Sequence, residues 1–373
     1  MTPVLLDFYE RSAAAEREGD AKEALEYHLG IPMFQRSRHR SVLEQLVAAA
    51  DELTPWIWAR WIVYQAIRSE DPGTQTAALV RAAMQDALVT CHAALMDAAY
   101  EEGGDPVKVL ANVMGESWVF HQLAAHEYGV LASFLDELAG EGLLRHADLA
   151  RSWIGARMSG YRLERGTQPG TLRAHDLSSS ETVEVLDLGA LPPTGTAQWV
   201  IGRIAPSGTS PEQMFDLAPL AVDEKVAQQV ARRRKPGVWA DDLGRAVHRG
   251  RMCGADARRE DYELMTDVSS WSLVELVTKP TDLGRVRLEA TDGRDVVGRA
   301  AFRVLRAAAE GSLDEDAAAY VAAAVLNASA QGQGERKILA PGQSSCWLRW
   351  AELTHDPARS RLMRFVELTA DAA

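Results

Sequence analysis

Tyr161-Arg162-Leu163, Thr171-Leu172-Arg173-Ala174-His175, Thr182-Val183-Glu184-Val185-Leu186 and Gln198-Trp199-Val200-Ile201-Gly202-Arg203-Ile204 are four short runs unlike anything on either side of them. Their β-branched and aromatic content reads as strand. The clusters between them read as turns: Thr167-Gln168-Pro169-Gly170, Asp176-Leu177-Ser178-Ser179-Ser180 and Pro192-Pro193-Thr194-Gly195. Pro206-Ser207-Gly208 closes the last run, and the stretch from Met214 through Phe215 to Leu220 completes the set. Four or five strands this short make a small barrel or meander of SH3-like or OB-like size. The fold class expected is mainly α with this β module inserted mid-chain, an α+β, multidomain chain.

Upstream, from Val4 to about Met158, the period is helical. Leu5, Phe8, Tyr9 and Ala13 share a helical face, Gly19-Asp20 breaks the run, and Ala21 to Tyr27 forms a second short helix. Thr54-Pro55 is a start signal, a capping hydroxyl followed by proline at the first helical position. Long helices are expected over Thr74–Ala99 and Gly115–Leu138, and a last one over Ala147–Met158. Downstream, Asp223-Glu224 opens a helix with acids where its dipole favours them. Further helices are expected near 241–250, 270–278, 295–309, 314–328, 343–354 and 357–368. The division read from the sequence is therefore an all-α domain over 1–158, the β-rich module over 159–222 and a second helical domain over 223–373.

Charge follows the same cuts. Residues 1–158 carry 13 Lys/Arg against 23 Asp/Glu, residues 159–222 carry 4 against 7, and residues 223–373 carry 23 of each. The acidic surface lies in the N-terminal part, which argues against that part approaching phosphate backbones unaided.

Two resemblances attach to these segments. The piece Glu16-Arg17-Glu18-Gly19-Asp20-Ala21-Lys22-Glu23-Ala24-Leu25-Glu26-Tyr27 resembles the turn between the paired helices of a tetratricopeptide repeat. It covers one hairpin, with no second copy, so it implies a helical hairpin and no solenoid. The order Pro169-Gly170-x-Leu172-x-x-x-Asp176-Leu177, an acidic Val-x-Val run, then Trp199-Val200-Ile201-Gly202-Arg203-Ile204-x-Pro206 resembles a β module of uncharacterised, mostly helical proteins of high-GC bacteria. That second resemblance implies fold and no activity.

Composition bounds the function. The apolar fraction of 47% and charged fraction of 25% are those of an ordinary globular protein. No stretch approaches the roughly 20 apolar residues that span a bilayer, and no signal-peptide pattern stands at the start. The three cysteines, Cys91, Cys253 and Cys346, are too scattered for a disulfide framework or a zinc knuckle. The expectation is a cytoplasmic protein with reduced thiols.

Three groups of residues could carry chemistry. Trp56, Trp58 and Trp61 beside Arg60 are a candidate partner-binding surface, with Trp58 and Trp61 on one helical face. Glu116, His121, His126 and Glu127 are the densest titratable group, and Glu116, His121 and His126, with His92 as a possible helper, are the candidate metal ligands. Yet both spacings are five, about 140° apart on an α-helix, and no His-Glu-x-x-His is present. Arg232, Arg233, Arg234 and Lys235, together with Arg299, Arg303 and Arg306, are the candidate nucleic-acid contacts. No Gly-x-Ser-x-Gly, phosphate loop or dinucleotide fingerprint occurs, so no cofactor and no catalytic residue is expected. The leading expectation is a non-catalytic interaction or adaptor protein that meets a protein partner or itself. A metal-dependent or hydrolytic enzyme around Glu116, His121 and His126, and nucleic-acid binding through the C-terminal arginines, are the alternatives.

Overall fold

The computed structural model describes residues 2–34, 38–49, 55–93, 100, 107, 110, 113–114, 117–167, 171–186, 198–209, 211–217, 219–233, 235–248, 305–306, 308–311, 313, 318, 321, 324–325, 338–354 and 358–370. Among them helices dominate, and one antiparallel sheet curls into a half-barrel.

The chain opens on a helical hairpin, α1 (Pro3–Glu18) and α2 (Ala21–Leu29). Gly19 takes a left-handed φ of 81° and caps α1, while the Asp20 side chain accepts from Glu23 N and starts α2. Then come α3 (Arg38–Ala49), α4 (Pro55–Ile67, beginning at the expected proline) and α5 (Gln75–Cys91, capped by Thr74). The long helix expected over Gly115–Leu138 is broken. It consists of α6 (Trp118–Gln122), a π turn over Leu123–Glu127, and α7 (Val130–Glu137). Gly129, at φ 73°, separates the last two. Two short helices, α8 (Glu141–Leu144) and α9 (Asp148–Trp153), lead to the sheet. The helix expected to reach Met158 stops at Trp153, and Met158 begins a strand.

The strands are β1 (Met158–Arg165), β2 (Thr171–Asp176), β3 (Thr182–Leu186), β4 (Gln198–Pro206), β5 (Gln213–Phe215) and β6 (Leu220–Ala221). Their order is β3-β2-β1-β4-β5, and β6 pairs with β4 as well. One edge of β4 is shared, with Val200 and Ile201 opposite β6 and Ile204 to Pro206 opposite β5. The end strands β3 and β5 pack on each other, which is how the sheet curls.

Strand alternation explains the two layers. Tyr161, Leu163, Leu172, Ala174, Val185, Val200 and Phe215 face inward and fill the half-barrel with their own small core. The opposite face of β1 and β4, with Met158, Ile201 and Ala205, joins a larger core that runs from Ala15 to Ala246. That core takes in α4, α5, α6, α7 and the two helices after the sheet, α10 (Glu224–Ala231) and α11 (Val238–His248). At Gly160 a Cβ would lie 2.0 Å from Ala227 O, so glycine there lets α10 lie directly on β1. The apolar layer is thus continuous across positions 158 and 222.

A separate buried cluster forms around α12 (Ser344–Glu352) and α13 (Ala358–Thr369), where Trp347 meets Phe365 edge-on at 5.1 Å. Among the described residues no helix is long and apolar enough to cross a membrane.

Candidate functional site

The alternation that buries Ile201 and Ala205 puts Arg203 on the same face of β4. A guanidinium in that apolar layer must have its hydrogen bonds met, and the first helices supply them. Arg203 Nε donates to Gln122 Oε1 at 2.8 Å, Nη1 to Ala156 O at 2.5 Å and Nη2 to Glu127 Oε1. Gln122 passes the link on, its Nε2 donating to Asp216 Oδ2 at 2.9 Å. The same Oδ2 accepts from His126 Nε2 at 2.8 Å, and Asp216 Oδ1 accepts from Leu217 N at 2.7 Å. Trp239 Nε1 of α11 donates to Glu127 Oε1 at 2.8 Å. Arg60 of α4 donates to the carbonyls of Asp216 and Phe215 at 2.7 and 2.8 Å. Six stretches of chain, α4, α6 with its π turn, the Ala156 turn, β4, the Phe215–Leu217 segment and α11, therefore meet in one polar network.

Gln122 and His126, four residues apart across the π turn, reach the same carboxylate oxygen, while Glu127 turns to Arg203 and Trp239. Single π turns of this kind are frequent at functional sites. Burial alone would raise the Asp216 carboxyl; the His126 and Gln122 hydrogen bonds and Arg203 bring it below the usual range. His126 is lowered, first by burial and then by Arg203. The pair is accordingly a neutral imidazole donating to a carboxylate. Among the described residues the buried His126 Nδ1 has no partner. Burial pulls the Arg60 guanidinium down to about 9, with Asp216 opposing.

A recess of about 160 Å³ opens beside this network. His126, Glu127 and Arg203 contribute to its wall, and Arg157, Arg233 and Lys235 join from the turns before β1 and after α10. Among the described residues, four cations and one carboxylate line it. Arg157 Nη2 reaches the Arg233 carbonyl at 3.5 Å, and Arg233 forms a two-pronged pair with Asp242, Nε to Oδ2 at 2.5 Å and Nη2 to Oδ1 at 3.0 Å. Arg245 donates to Asp242 too, at 2.6 Å. Among the described residues nothing pairs with the Lys235 ammonium. Arg203 uses three of the five N–H groups a guanidinium carries.

The residues singled out in the sequence fall in different places. Trp56, Trp58, Arg60 and Trp61 are all interior, at 2%, 8%, 2% and 2% exposure. Apolar residues surround α4 on every side, so the tryptophan face expected to meet a partner is core. Trp58 stacks on His146 at 4.2 Å and the Arg60 guanidinium lies 5.1 Å over Trp56. His121 and His126 diverge, as their spacing implies. His121 Nε2 bonds Met114 O at 2.8 Å, and His92 Nε2 bonds Ser117 Oγ at 2.8 Å, next to the start of α6. Among the described residues no group of three His, Cys, Asp or Glu side chains is close enough to hold a metal ion. Glu116, Arg234, Arg299, Arg303 and Cys253 lie outside the described residues. Arg232 is exposed, Arg233 and Lys235 border the recess, and Arg306 pairs with Glu310 at 2.9 Å on an exposed helix face. Gln122, Arg157, Arg203, Asp216, Trp239 and the pairing of Glu127 with an arginine belong to no catalytic or binding motif in the sequence. Period-two alternation along Trp199–Ile204 is the one local signal among them, because it places Arg203 beside Ile201.

A second buried polar group joins α1, α3 and α4. Glu16 accepts from His39 Nε2 at 2.7 Å and Gln65 Nε2 at 2.6 Å, and Arg68 Nη1 donates to His39 Nδ1 at 2.8 Å. Burial alone would raise the Glu16 carboxyl, but His39 and its neighbours bring it down to about 2. This group is closed on itself. Comparisons with protein families, with curated proteins and with solved structures return no match.

Proposed function

We propose that the protein is a non-catalytic, cytoplasmic adaptor that meets its protein partner at the cationic recess, where an acidic group of that partner enters. The observation that carries this reading is the local inversion of charge. A chain of net charge −13 gathers Arg157, Arg203, Arg233 and Lys235 at one recess; Glu127 answers Arg203 and Asp242 answers Arg233, and among the described residues Arg157 and Lys235 have no carboxylate partner. Cations gathered at a concave, partly desolvated surface raise the local concentration of anions and speed their capture. Beneath the recess, Gln122, Asp216, Glu127 and Trp239 are engaged in holding helices to sheet, which suits a preformed binding surface rather than a nucleophile and base awaiting substrate.

The test is affinity capture of the full tagged chain from its native lysate, with and without nuclease. It compares the wild type with the double variant Arg157→Glu, Lys235→Glu. The reading expects a protein partner that survives nuclease and is lost with the double variant. Capture that depends on intact nucleic acid, or that the double variant leaves unchanged, overturns it.

A further inference from the structure

The recess differs from an ordinary basic patch in how its donors are arranged. Arg203 forms its floor and is 3% exposed. It is fixed by Gln122, Ala156 O and Glu127, and two N–H groups of its fork are left over. Its position is therefore set before any ligand arrives, which removes the ordering cost that a surface arginine would incur. Arg157 comes from the turn before β1, and Lys235 from the turn between α10 and α11.

Donors from three separate stretches of chain surround this recess of about 160 Å³. A carboxylate offers two oxygens in one plane to such a set. A phosphate monoester offers three oxygens and close to two charges at neutral pH, enough to answer the fork of Arg203, Arg157 and Lys235 together. We infer that the group received by the recess is a phosphate monoester, held by the spare N–H groups of Arg203 from below and by Arg157 and Lys235 at the rim. This inference rests on the binding reading above and names the chemistry of its acidic group.

The experiment is isothermal titration of the full chain with three probes: inorganic phosphate, a short phosphoserine peptide, and acetate as the carboxylate control. Charge-assisted hydrogen bonds contribute about 1.5–3 kcal/mol each, so Arg157→Ala and Lys235→Ala should each weaken phosphate about tenfold or more. Both side chains are at the rim and exposed, and an unchanged unfolding midpoint confirms that each variant folds. Phosphate should bind at least tenfold more tightly than acetate. The phosphoserine peptide should also bind more tightly from pH 5.5 to 7.5, as the second ionisation of its phosphate near pH 6 completes; acetate should not follow. A phosphoserine peptide binding more tightly than phosphate identifies the source as a modified partner, and the reverse order identifies a free phosphate or small ester. Equal affinity for phosphate and acetate, or binding indifferent to both rim variants, overturns the inference. If partner capture then still depends on Arg157 and Lys235, the binding reading stands with a carboxylate as its ligand. If capture is indifferent too, both fall.

Discussion

Arg203 decides most at the scale of single residues. A buried guanidinium is tolerated because Glu127, Gln122 and a backbone carbonyl meet it in fixed geometry, and removal of one partner strands the other in a dry site. Arg203→Leu should therefore lower unfolding free energy by about 3–5 kcal/mol, measured by urea denaturation. Pairing it with Glu127→Leu should recover part of the loss, because no uncompensated charge is left. A cost below about 1 kcal/mol would mean the network holds nothing together. Trp199–Ile204 was legible as a strand, and the strand period carries Arg203 to the helix side. Asp216 was not legible, since its side-chain partners Gln122 and His126 lie 94 and 90 residues away and nothing around Met214–Leu220 marks it. His126 stood out only as a titratable residue at a spacing unsuited to metal. That spacing correctly keeps it apart from His121, and its pairing with Asp216 is tertiary.

Elements were read well where a local signal ends them, and poorly where packing does. Gly19 caps its helix through a left-handed backbone, and Asp20, Thr74 and Asp223 cap theirs through their side chains. The interruption of the 115–138 helix was missed because Gly129 is one glycine in an otherwise helical pattern, and the π turn before it has no residue signature. At φ 73° a side chain at Gly129 is strained. Gly129→Ala should cost about 1–2 kcal/mol and loosen the π turn that presents His126 and Glu127. Gly160→Ala meets a different obstacle, the Ala227 carbonyl at 2.0 Å from the new Cβ. Overpacking of this kind costs typically about 1–3 kcal/mol. Chemical denaturation should register both losses. The Gly160 change should also raise amide exchange in α10, whereas a neutral result would mean α10 can back away from the sheet freely. The half-barrel itself was legible, because its strands carry β-branched residues between proline and glycine turns. Its attachment to the helices was not, because β4 buries side chains on both faces and composition alone does not tell which layer each face meets.

Across the whole molecule, buried histidines link stability to pH. Burial holds His28 and His92 down at about 4 and His121 at about 3, against an ordinary value of 6.5. Between those values the unfolded chain takes up protons that the folded chain refuses. The stabilisation is complete above about pH 6.5 and is lost as pH falls toward 4. Glu16 acts in the same direction lower down, its contribution present above 4.5 and lost as pH approaches 2. The thermal midpoint should therefore fall steadily from pH 7 to pH 4.5, and His121→Gln should flatten part of that slope; a midpoint constant over the range would contradict the burial of these rings. The charge division read from the sequence gains its meaning at this scale. The acidic N-terminal helices and the turns that carry Arg157 and Lys235 sit against one continuous core, so a cationic recess lies within a predominantly negative molecule. The most direct test of that recess as a binding site is a crystal structure of the full chain grown with phosphate. The account predicts a tetrahedral anion in contact with Arg203, Arg157 and Lys235. Phosphate bound elsewhere, with only water in the recess, would contradict it.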